Sequence, residues 1–267
     1  MRSIMSTAAR TICLGLLVAS WGAEAALAAD NAGMPGVAAA VSAGLRATSP
    51  ERAKRADFEH ETPSREARQI ADWVVDSGDS GGLPFVVLDK TLARVFVFHA
   101  NGQLRGAAAA LVGLAVGDDA VPGIGQRKLA SIRPEERTTP AGRFVAALDR
   151  NLHGGEILWV DYETAISLHP VITSNPKERR AERLATPTPL DNRISYGCIN
   201  VPAEFFHRVV SPAFKASDGI VYVLPETRSA RQVFPSYDVY ERARQEAGSR
   251  LLSAPVTSQI DTDIVRH

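Results

Sequence analysis

The sequence predicts a mainly β domain with helical decoration, which is an α+β fold. From Pro84 onward, short runs of β-branched and aromatic residues alternate with turn residues, which is the pattern of strands joined by loops. Helical periodicity is confined to three segments, at 64–76, after residue 201 and at 237–251. No internal repeat is visible along the chain, so a repeat architecture is not expected.

The first 28 residues have the order of a secretory signal. Arg2 and Arg10 accompany an apolar run, and small residues close the segment at 26–28. A membrane anchor would need about 20 unbroken apolar residues, whereas Glu24 lies only a few residues beyond the apolar run. We therefore expect residues 1–28 to be a cleaved signal peptide, with a cut after residue 25 as the alternative. The mature protein is then exported, into the periplasm, with no integral membrane span.

The remainder of the chain is predicted to have three parts. Residues 29–80 are a leader with one helix, residues 81–226 are the β domain, and residues 227–267 are a C-terminal helical tail. The leader up to residue 60 is rich in Ala, Ser and Pro, so we expect it to be loosely ordered. Ser64 can cap the leader's helix. That helix carries Ile70, Trp73 and Val74 on one face.

The β domain is expected to begin with a hairpin, formed by PFVVLDK and LARVFVFHANG, that turns near Asp89 and Lys90. Further strands are predicted in LRGAAAALVG, RFVAAL, GEILWVDY and ETAISLHPVI, with DGIVYVLPE as the closing strand. A polar connection rich in Gly and Pro precedes RFVAAL. The segment VPAEFFHRVVSPAF is predicted to be a helix that begins at Pro202.

A polar and basic stretch, SNPKERRAERLATPTPLDNR, lies between residues 173 and 193. Pro176 suits the first turn of a short helix, which the prolines at 187 and 189 would end. Two interpretations of KERRAER are open. It is either a solvated helix face or a lid or binding edge beside a site.

Composition excludes some classes of partner. The chain carries 30 Lys and Arg against 30 Asp and Glu, so its formal net charge is zero. A balanced charge gives no electrostatic footprint for nucleic acid or for an anionic membrane surface. The histidines and carboxylates show no metal-ligand spacing such as H-E-x-x-H, so no metal or other cofactor is expected. The sequence does not identify a protein partner.

The cysteine count singles out Cys198. The chain has 2 cysteines, and Cys13 leaves with the signal peptide, so Cys198 has no partner for an intramolecular disulfide. A free cysteine is either a small buried hydrophobe or a functional thiol. Gly197 precedes it and Pro202 begins a helix just after it, so backbone N–H groups can converge there. Such donors lower the pKa of a thiol and stabilise an oxyanion, which favours a nucleophile.

A nucleophilic thiol needs a base, and His169 is the best placed histidine. It ends the strand-like run AISLH, where a side chain can be held rigidly at a strand end. His99 also ends a predicted strand and is its rival. The other histidines lie in the leader, in a Gly-rich turn, on the helix after the cysteine and at the end of the sequence: His60, His153, His207 and His267.

Two motifs resemble those of a known family. His169, a loop and SYGCIN at residues 195–200 resemble the YkuD-type L,D-transpeptidases, whose signature is a histidine followed by [S/T]-H-G-C-h-N. TTPAGRF at residues 138–144 is similar to the T-P-x-G-x-F segment of that family. The resemblance runs from about Pro84 to Pro225. It implies a YkuD-like L,D-transpeptidase β-sandwich, with residues 81–226 as the catalytic domain.

The resemblance also implies the roles of individual residues. Cys198 is the nucleophile and His169 the base, with its ring oriented by a neighbouring backbone carbonyl, here that of Pro170. The N–H groups of Gly197 and Cys198 form the oxyanion hole. These assignments describe a thiol–imidazole pair beside a backbone anion site.

Three further residues receive expected roles. Ser195 and Asn200 shape the loop around the cysteine, as the family resemblance implies. Arg193 is a candidate to bind a substrate carboxylate, because a planar guanidinium pairs well with that group. The other interpretation of Arg193 is a plain surface arginine.

Two features depart from the family pattern. Tyr196 stands where the family has histidine, and its hydroxyl can donate a hydrogen bond but cannot become a cation near neutral pH. The interval from His169 to Cys198 is 198 minus 169, or 29 residues, which is longer than the family's usual interval. The extra length falls in the basic stretch, where it would alter the substrate cleft.

The implied function is attack of Cys198 on the amide between an L-centre and a D-centre of a peptidoglycan stem peptide, which gives a thioester. An amine acceptor makes the protein an L,D-transpeptidase that acts in cell-wall crosslinking, D-amino-acid exchange or protein attachment, and so in cell shape. Water as the acceptor makes it a cysteine L,D-carboxypeptidase or amidase. A third hypothesis is an inactive wall-binding module, in which Tyr196 marks lost activity. A papain-like protease is disfavoured, because that class places its cysteine before its histidine.

Overall fold

The computed structural model of the chain describes residues 53–253. The predicted signal peptide and most of the predicted leader lie outside this range. Within it, no helix is both long enough and apolar enough to cross a membrane. Export of the protein therefore stays a prediction.

An eight-stranded sheet organises the described residues, with strand order β3-β2-β1-β10-β5-β6-β7-β9. Neighbouring strands are antiparallel except for the pairs β1–β10 and β7–β9, which are parallel. A separate two-stranded sheet pairs β4 with β8. The strands are β1 (Phe85–Asp89), β2 (Arg94–Phe98), β3 (Leu104–Ala109), β4 (Val112–Gly113), β5 (Gly142–Arg150), β6 (Glu156–Asp161), β7 (Ile166–Pro170), β8 (Arg193–Ser195), β9 (Ile199–Val201) and β10 (Gly219–Val223).

The two edges of the large sheet meet, so the sheet nearly closes on itself. Leu111 follows the edge strand β3, and it exchanges backbone hydrogen bonds of 2.8 and 2.9 Å with Asn200 in the opposite edge strand β9. Strands from both halves of the sheet, including β2 and β7, therefore line one interior cluster. The predicted mainly β fold with helices is confirmed. The opposing layers of the predicted sandwich belong to one curled sheet.

A helical stretch fills the concave face of this sheet. It consists of α3 (Ala203–Phe205), a π-helical turn (Phe206–Val210) and α4 (Ser211–Phe214), and it follows Pro202 as the sequence predicts. Phe206, Val210 and Phe214 bury their side chains among those of the strands. This stretch therefore supports from inside the strands that carry the candidate site.

A second apolar cluster covers the outer face of β1, β2 and β10. Helix α1 (Arg65–Ser77) begins after Ser64, whose hydroxyl accepts a hydrogen bond of 3.0 Å from the N–H of Ala67. Its apolar face packs against this part of the sheet, and the rings of Trp73 and Tyr222 meet edge to face. Two later helices, α5 (Ala230–Val233) and α6 (Val239–Ser253), reach the same cluster. The predicted helices at 64–76 and 237–251 are both present.

The described end of the leader is packed, which corrects the expectation of a loosely ordered segment up to residue 60. Phe58 is buried, with edge-to-face contacts to Phe96 and Phe98, and Asp57 forms a bridge with Gln103. A single aromatic residue in a polar stretch gives no periodic signal, so the sequence does not indicate this contact. The domain boundaries at residues 80 and 226 stay predictions.

Residues 114–141 connect β4 to β5, and they are held by a buried ammonium group. The Nζ of Lys90 donates to the carbonyl oxygens of Gly117 at 2.6 Å and Thr139 at 2.9 Å and to the carboxylate of Asp118 at 2.8 Å. Both charged side chains are fully buried. The Asp118 carboxylate also accepts backbone N–H groups of residues 226–228, so three chain segments meet at this ion pair. The connection has three 3₁₀ turns: Ile124–Gln126, Leu129–Ser131 and Pro134–Glu136.

Lys90→Met should lower the free energy of unfolding by about 3–5 kcal/mol, because Asp118 and Glu226 would lose the fully buried cation that they share. Urea unfolding followed by far-ultraviolet circular dichroism measures the change. Lys128 is exposed on the same connection, so Lys128→Met is the matched control and should change stability by less than about 0.5 kcal/mol. Equal unfolding midpoints for the two variants would contradict the assignment.

Candidate active site

Cys198 lies between β8 and β9 and is a free, half-buried cysteine. Its sulfur is 3.7 Å from the Ser167 hydroxyl and 3.7 Å from the carbonyl oxygen of Ala165. Ser167 belongs to β7, which pairs with β9, so the sheet itself fixes the surroundings of the sulfur. The thiol is therefore held at the outer surface of the sheet.

The structure brings His169 to Cys198. His169 lies on β7 and is paired in register with Asn200 on β9, two residues after the cysteine. Its Nδ1 lies 2.8 Å from the carbonyl oxygen of Pro170, which is the contact that the sequence predicts. With the Nδ1 proton directed to that carbonyl, Nε2 remains for the thiol, and the two side chains are close enough to shift each other's pKa.

The two groups favour each other's charged forms. Burial raises the pKa of the Cys198 thiol, but the hydrogen bond and charge of His169 and the hydrogen bonds from Ser167 outweigh it, so the net shift is downward. Burial lowers the pKa of His169, and the hydrogen bond and charge of Cys198 reverse that effect, so the net shift is upward. The pair can therefore exist as thiolate and imidazolium, which is the reactive form of a cysteine.

Gly197 adopts a backbone conformation that other residues rarely take. Its φ is +128°, and a Cβ atom placed there would lie 2.6 Å from the carbonyl oxygen of Thr138. The buried hydroxyl of Thr139 donates to the carbonyl oxygen of Gly197 at 2.7 Å and accepts from the N–H of Gly113 at 2.9 Å. The segment around Thr139 therefore holds the turn that presents Cys198.

The Ser195 hydroxyl bonds to the same turn from inside, and its contacts bear on which N–H group can stabilise an oxyanion. Its hydroxyl donates to the carbonyl oxygen of Cys198 at 2.6 Å and accepts from the N–H of Gly197 at 3.0 Å. The predicted loop-shaping contact of Ser195 is thus present. Because the Gly197 N–H already has an acceptor, the Cys198 N–H is the stronger candidate donor to an oxyanion.

The basic stretch at 173–193 reaches the site through one side chain. It contains a 3₁₀ turn (Pro176–Glu178) and the short helix α2 (Arg180–Ala185). Buried Asn200 donates to the carbonyl oxygen of Cys198 at 3.2 Å and accepts from Nη1 of Arg180 at 2.7 Å. The charge of Arg180 acts to lower the pKa of His169. Arg180 therefore lies at the edge of the site, whereas most other residues of KERRAER are exposed and form a solvated face.

Tyr196 is partnered by a cation that the sequence did not indicate. The Cζ of Arg137 lies 3.9 Å from the centre of the Tyr196 ring, within the range of a cation–π contact. Nε and Nη2 of Arg137 donate to the carbonyl oxygen of Ile132 at 3.2 and 3.0 Å, which fixes the guanidinium. Although Tyr196 cannot carry a positive charge, Arg137 therefore places one against its ring.

A cavity of about 230 Å³ opens beside the sulfur. Its walls come from the 114–141 connection, from the turn before β7 and from the cysteine turn itself. The part of the connection before Thr138 carries no motif, because the buried ion pair of Lys90 and Asp118 that holds it joins residues far apart in the chain. The lining residues are Ala120, Ile124, Gly125, Arg127, Leu129, Ile132, Thr138, Thr164, Ala165, Ile166, Tyr196 and Cys198.

Arg193 is not among the residues that line this cavity. Its guanidinium forms an ion pair with Glu226 and donates to the carbonyl oxygens of Gly113 and Ala115, each at 3.2 Å. These partners occupy the side chain in holding β8 to the neighbouring chain segments. Its observed contacts are structural.

His99 is exposed just after β2, whereas His169 lies on β7 beside β9, the strand that follows Cys198. Its rival role as the base is therefore not favoured. Among residues 53–253, no group of three or more His, Cys, Asp or Glu side chains lies close enough together to hold a metal ion.

No model of a known protein family matches this sequence, and no curated protein matches it. Several solved structures are similar at low identity. An L,D-transpeptidase (residues 123–326) from Xylanimonas cellulosilytica DSM 15894 is 14% identical over 53% of this chain and 60% of that chain, with a TM-score of 0.34. The catalytic domain of an E. faecium L,D-transpeptidase is 16% identical over 54% and 98%, with a TM-score of 0.32. L,D-transpeptidase 3 from Mycobacterium tuberculosis is 14% identical over 52% and 60%, with a TM-score of 0.33. The likeness is remote and assigns no role to any residue of this chain.

The rate of Cys198 alkylation by iodoacetamide should report the thiol–imidazole pair. We expect its half-maximum below the usual thiol pKa of about 8.5, because the thiol pKa is lowered. His169→Gln removes the imidazolium charge that lowers the thiol pKa. Burial should then raise that pKa and move the rate profile to higher pH. The rate at pH 6.5 should then fall about tenfold for each unit of the shift. His99→Gln is the matched control, and an equal shift in both variants would rule out His169 as the partner.

Thr139→Val should disturb the cysteine turn while keeping the shape of the side chain. It leaves the Gly197 carbonyl and the Gly113 N–H unpaired in a buried place, which should cost about 1–3 kcal/mol of stability and slow alkylation of Cys198. Thr139→Ser retains the hydroxyl and should restore both properties. If Thr139→Val and Thr139→Ser behave alike in chemical unfolding and alkylation, the hydroxyl does not hold the turn.

Proposed function

We propose that this chain is an exported cysteine acyltransferase, an L,D-transpeptidase that acts on peptidoglycan stem peptides. The observation that carries the proposal is the pairing of Cys198 with His169 beside a cavity that can admit a substrate. The substrate class follows from the resemblance of SYGCIN and TTPAGRF to the YkuD-type family.

The contact between the two motifs supports that resemblance. Thr139 belongs to TTPAGRF and Gly197 to SYGCIN, and they are 58 positions apart in the sequence. A hydrogen bond of 2.7 Å nevertheless joins them. Both motifs therefore serve one turn, as expected of segments that build a single site.

The first half of the reaction uses the thiolate and the imidazolium. The Cys198 sulfur attacks the carbonyl carbon of the amide, and a C–S bond forms while the carbonyl oxygen becomes an oxyanion near the Cys198 N–H. When the C–N bond breaks, the leaving amine takes the proton from the His169 imidazolium. The products are a thioester on Cys198, a neutral His169 and a free amino acid or peptide.

The second half returns the pair to its starting state. The acceptor amine gives a proton to neutral His169 and attacks the thioester carbon. A new C–N bond forms, the C–S bond breaks, and the sulfur leaves as a thiolate beside the imidazolium. Water in place of the amine would give a carboxylic acid, which is the hydrolase version of the same chemistry.

Products from disaccharide-tetrapeptides distinguish the hypotheses. With the chain from residue 29 onward, we expect masses of crosslinked dimers or, when a D-amino acid is added, of exchanged tetrapeptides. Only shortened peptides would make water the acceptor and the protein a carboxypeptidase. Unchanged substrate would favour the inactive wall-binding module.

A carbapenem offers a second measurement of the nucleophile. Its strained carbonyl acylates a reactive thiol, so the intact mass of the protein should rise by the mass of one inhibitor. Cys198→Ala should show no adduct, and His169→Gln should form it at least about tenfold more slowly, since a general base contributes factors of that size or more. An adduct that persists in Cys198→Ala would place the nucleophile elsewhere.

A further inference from the structure

Among residues 53–253, the outer face of the sheet is partly exposed on β5 and just after β6, although Ile157 and Ser167 on that face are buried. The α1 cluster covers this face only on β1, β2 and β10. Residues that pair across neighbouring strands share a face, and Ala147 pairs with Trp159, which in turn pairs with Ser167. Val145 lies two residues before Ala147 on the same face and is 59% exposed. An apolar strip of this kind on a soluble domain indicates a binding surface.

Two aromatic rings form a platform at the centre of this strip. The rings of Trp159 and Tyr162 are stacked, with centroids 4.9 Å apart and planes 25° apart, and Tyr162 is 62% exposed. The turn that carries Tyr162 is fixed, because the Asp161 carboxylate accepts from the N–H of Glu163 at 3.0 Å and from the hydroxyl of Thr164 at 2.5 Å. A surface that is already ordered loses little entropy when a ligand binds.

The Trp159–Tyr162 platform is adjacent to the nucleophile. Trp159 is the cross-strand neighbour of Ser167, whose hydroxyl lies 3.7 Å from the Cys198 sulfur. The turn that carries Tyr162 ends in Ala165, whose carbonyl oxygen is also 3.7 Å from that sulfur. Because neighbouring strands are about 5 Å apart, a substrate attacked at Cys198 can extend directly onto the platform.

The charges around the platform restrict what can occupy it. Partial burial and the nearby carboxylates of Asp149 and Asp218 raise the pKa of the Tyr162 hydroxyl. Both carboxylates are exposed, so they can accept hydrogen bonds and repel anions. A sugar ring has an apolar C–H face that can stack on aromatic rings and a rim of hydroxyl donors that suits carboxylates.

We propose that the Trp159–Tyr162 platform binds a sugar ring of the glycan strand while the attached stem peptide reaches Cys198. The identity of the glycan rests on the proposed function. The preference of the platform for an uncharged sugar ring rests on its own rings and carboxylates. Binding of the sugar at the platform should make the disaccharide-linked peptide a better substrate than the free peptide.

Binding is tested without catalysis, in the chain from residue 29 onward carrying Cys198→Ala. The probe is the tetramer of N-acetylglucosamine, and the signal is tryptophan fluorescence, to which Trp159 contributes. Tyr162→Ala should weaken binding about tenfold, in line with the loss of one aromatic contact. Tyr240 is 41% exposed on α6, away from the strip, so Tyr240→Ala should bind as the parent does.

Two results would contradict sugar binding at the platform. One is unchanged sugar affinity in Tyr162→Ala. The other is a change of oligomeric state in Tyr162→Ala by sedimentation without any loss of sugar binding, because the surface would then be a contact between two copies of this chain.

Kinetics separate this inference from the proposed function. For the protein with its cysteine, kcat/KM should be about tenfold higher for a disaccharide-tetrapeptide than for the free tetrapeptide. Tyr162→Ala should remove that preference through KM and leave the free peptide unaffected. Equal rates on both substrates in the unsubstituted protein would overturn the platform. If neither substrate is turned over, the proposed function is contradicted. The fluorescence measurement would still show whether the platform binds a sugar.

Discussion

The buried ammonium of Lys90 sets the geometry of a site that it does not touch. It donates to the carbonyl oxygen of Thr139, whose hydroxyl in turn holds the carbonyl of Gly197, next to Cys198. Each contact is buried, where hydrogen bonds are electrostatically stronger than in water. The cost of burying a lysine is offset by Asp118 and two carbonyl acceptors. The same group orders the connection that walls the cavity, so fold and site depend on one charge.

Opposing effects set the pKa values of Cys198 and His169. Burial favours the neutral forms of Cys198 and His169, whereas their mutual hydrogen bond and charges favour the ion pair. Ser167 stabilises the thiolate, while the charge of Arg180 works against the imidazolium. Arg180 belongs to the long stretch before the cysteine, so that stretch acts on the pKa of His169. The position of the equilibrium therefore depends on residues outside the recognisable motif.

The sequence predicted those features that local patterns encode. The β1–β2 hairpin and helix α1 are of this kind, since neighbouring residues determine them, whereas the contact of His169 with the Pro170 carbonyl was expected from the family resemblance. The strands β8 and β9 have three residues each, too few to show alternation. The closure of the sheet at Leu111 and the partner of Tyr196 join residues far apart in the sequence, so no local pattern reports them. The contact of Arg193 with Glu226 is of the same kind, because the two residues lie 33 positions apart in the sequence.

The two sides of Cys198 differ in a way that bears on the acceptor. On one side lies the apolar strip with the Trp159–Tyr162 platform, and on the other lies the cavity. The cavity is lined largely by apolar side chains, including those of Ile124 and Ile132. The charged residue in that lining, Arg127, is paired with Glu136 by hydrogen bonds of 3.0 and 3.1 Å. Apolar cavities hold water poorly, so an acceptor that brings its own apolar atoms displaces little bound water. In the proposed function, with the donor glycan on the strip, the cavity would be left for the acceptor, and its largely apolar lining would favour an amine attached to a carbon chain over water.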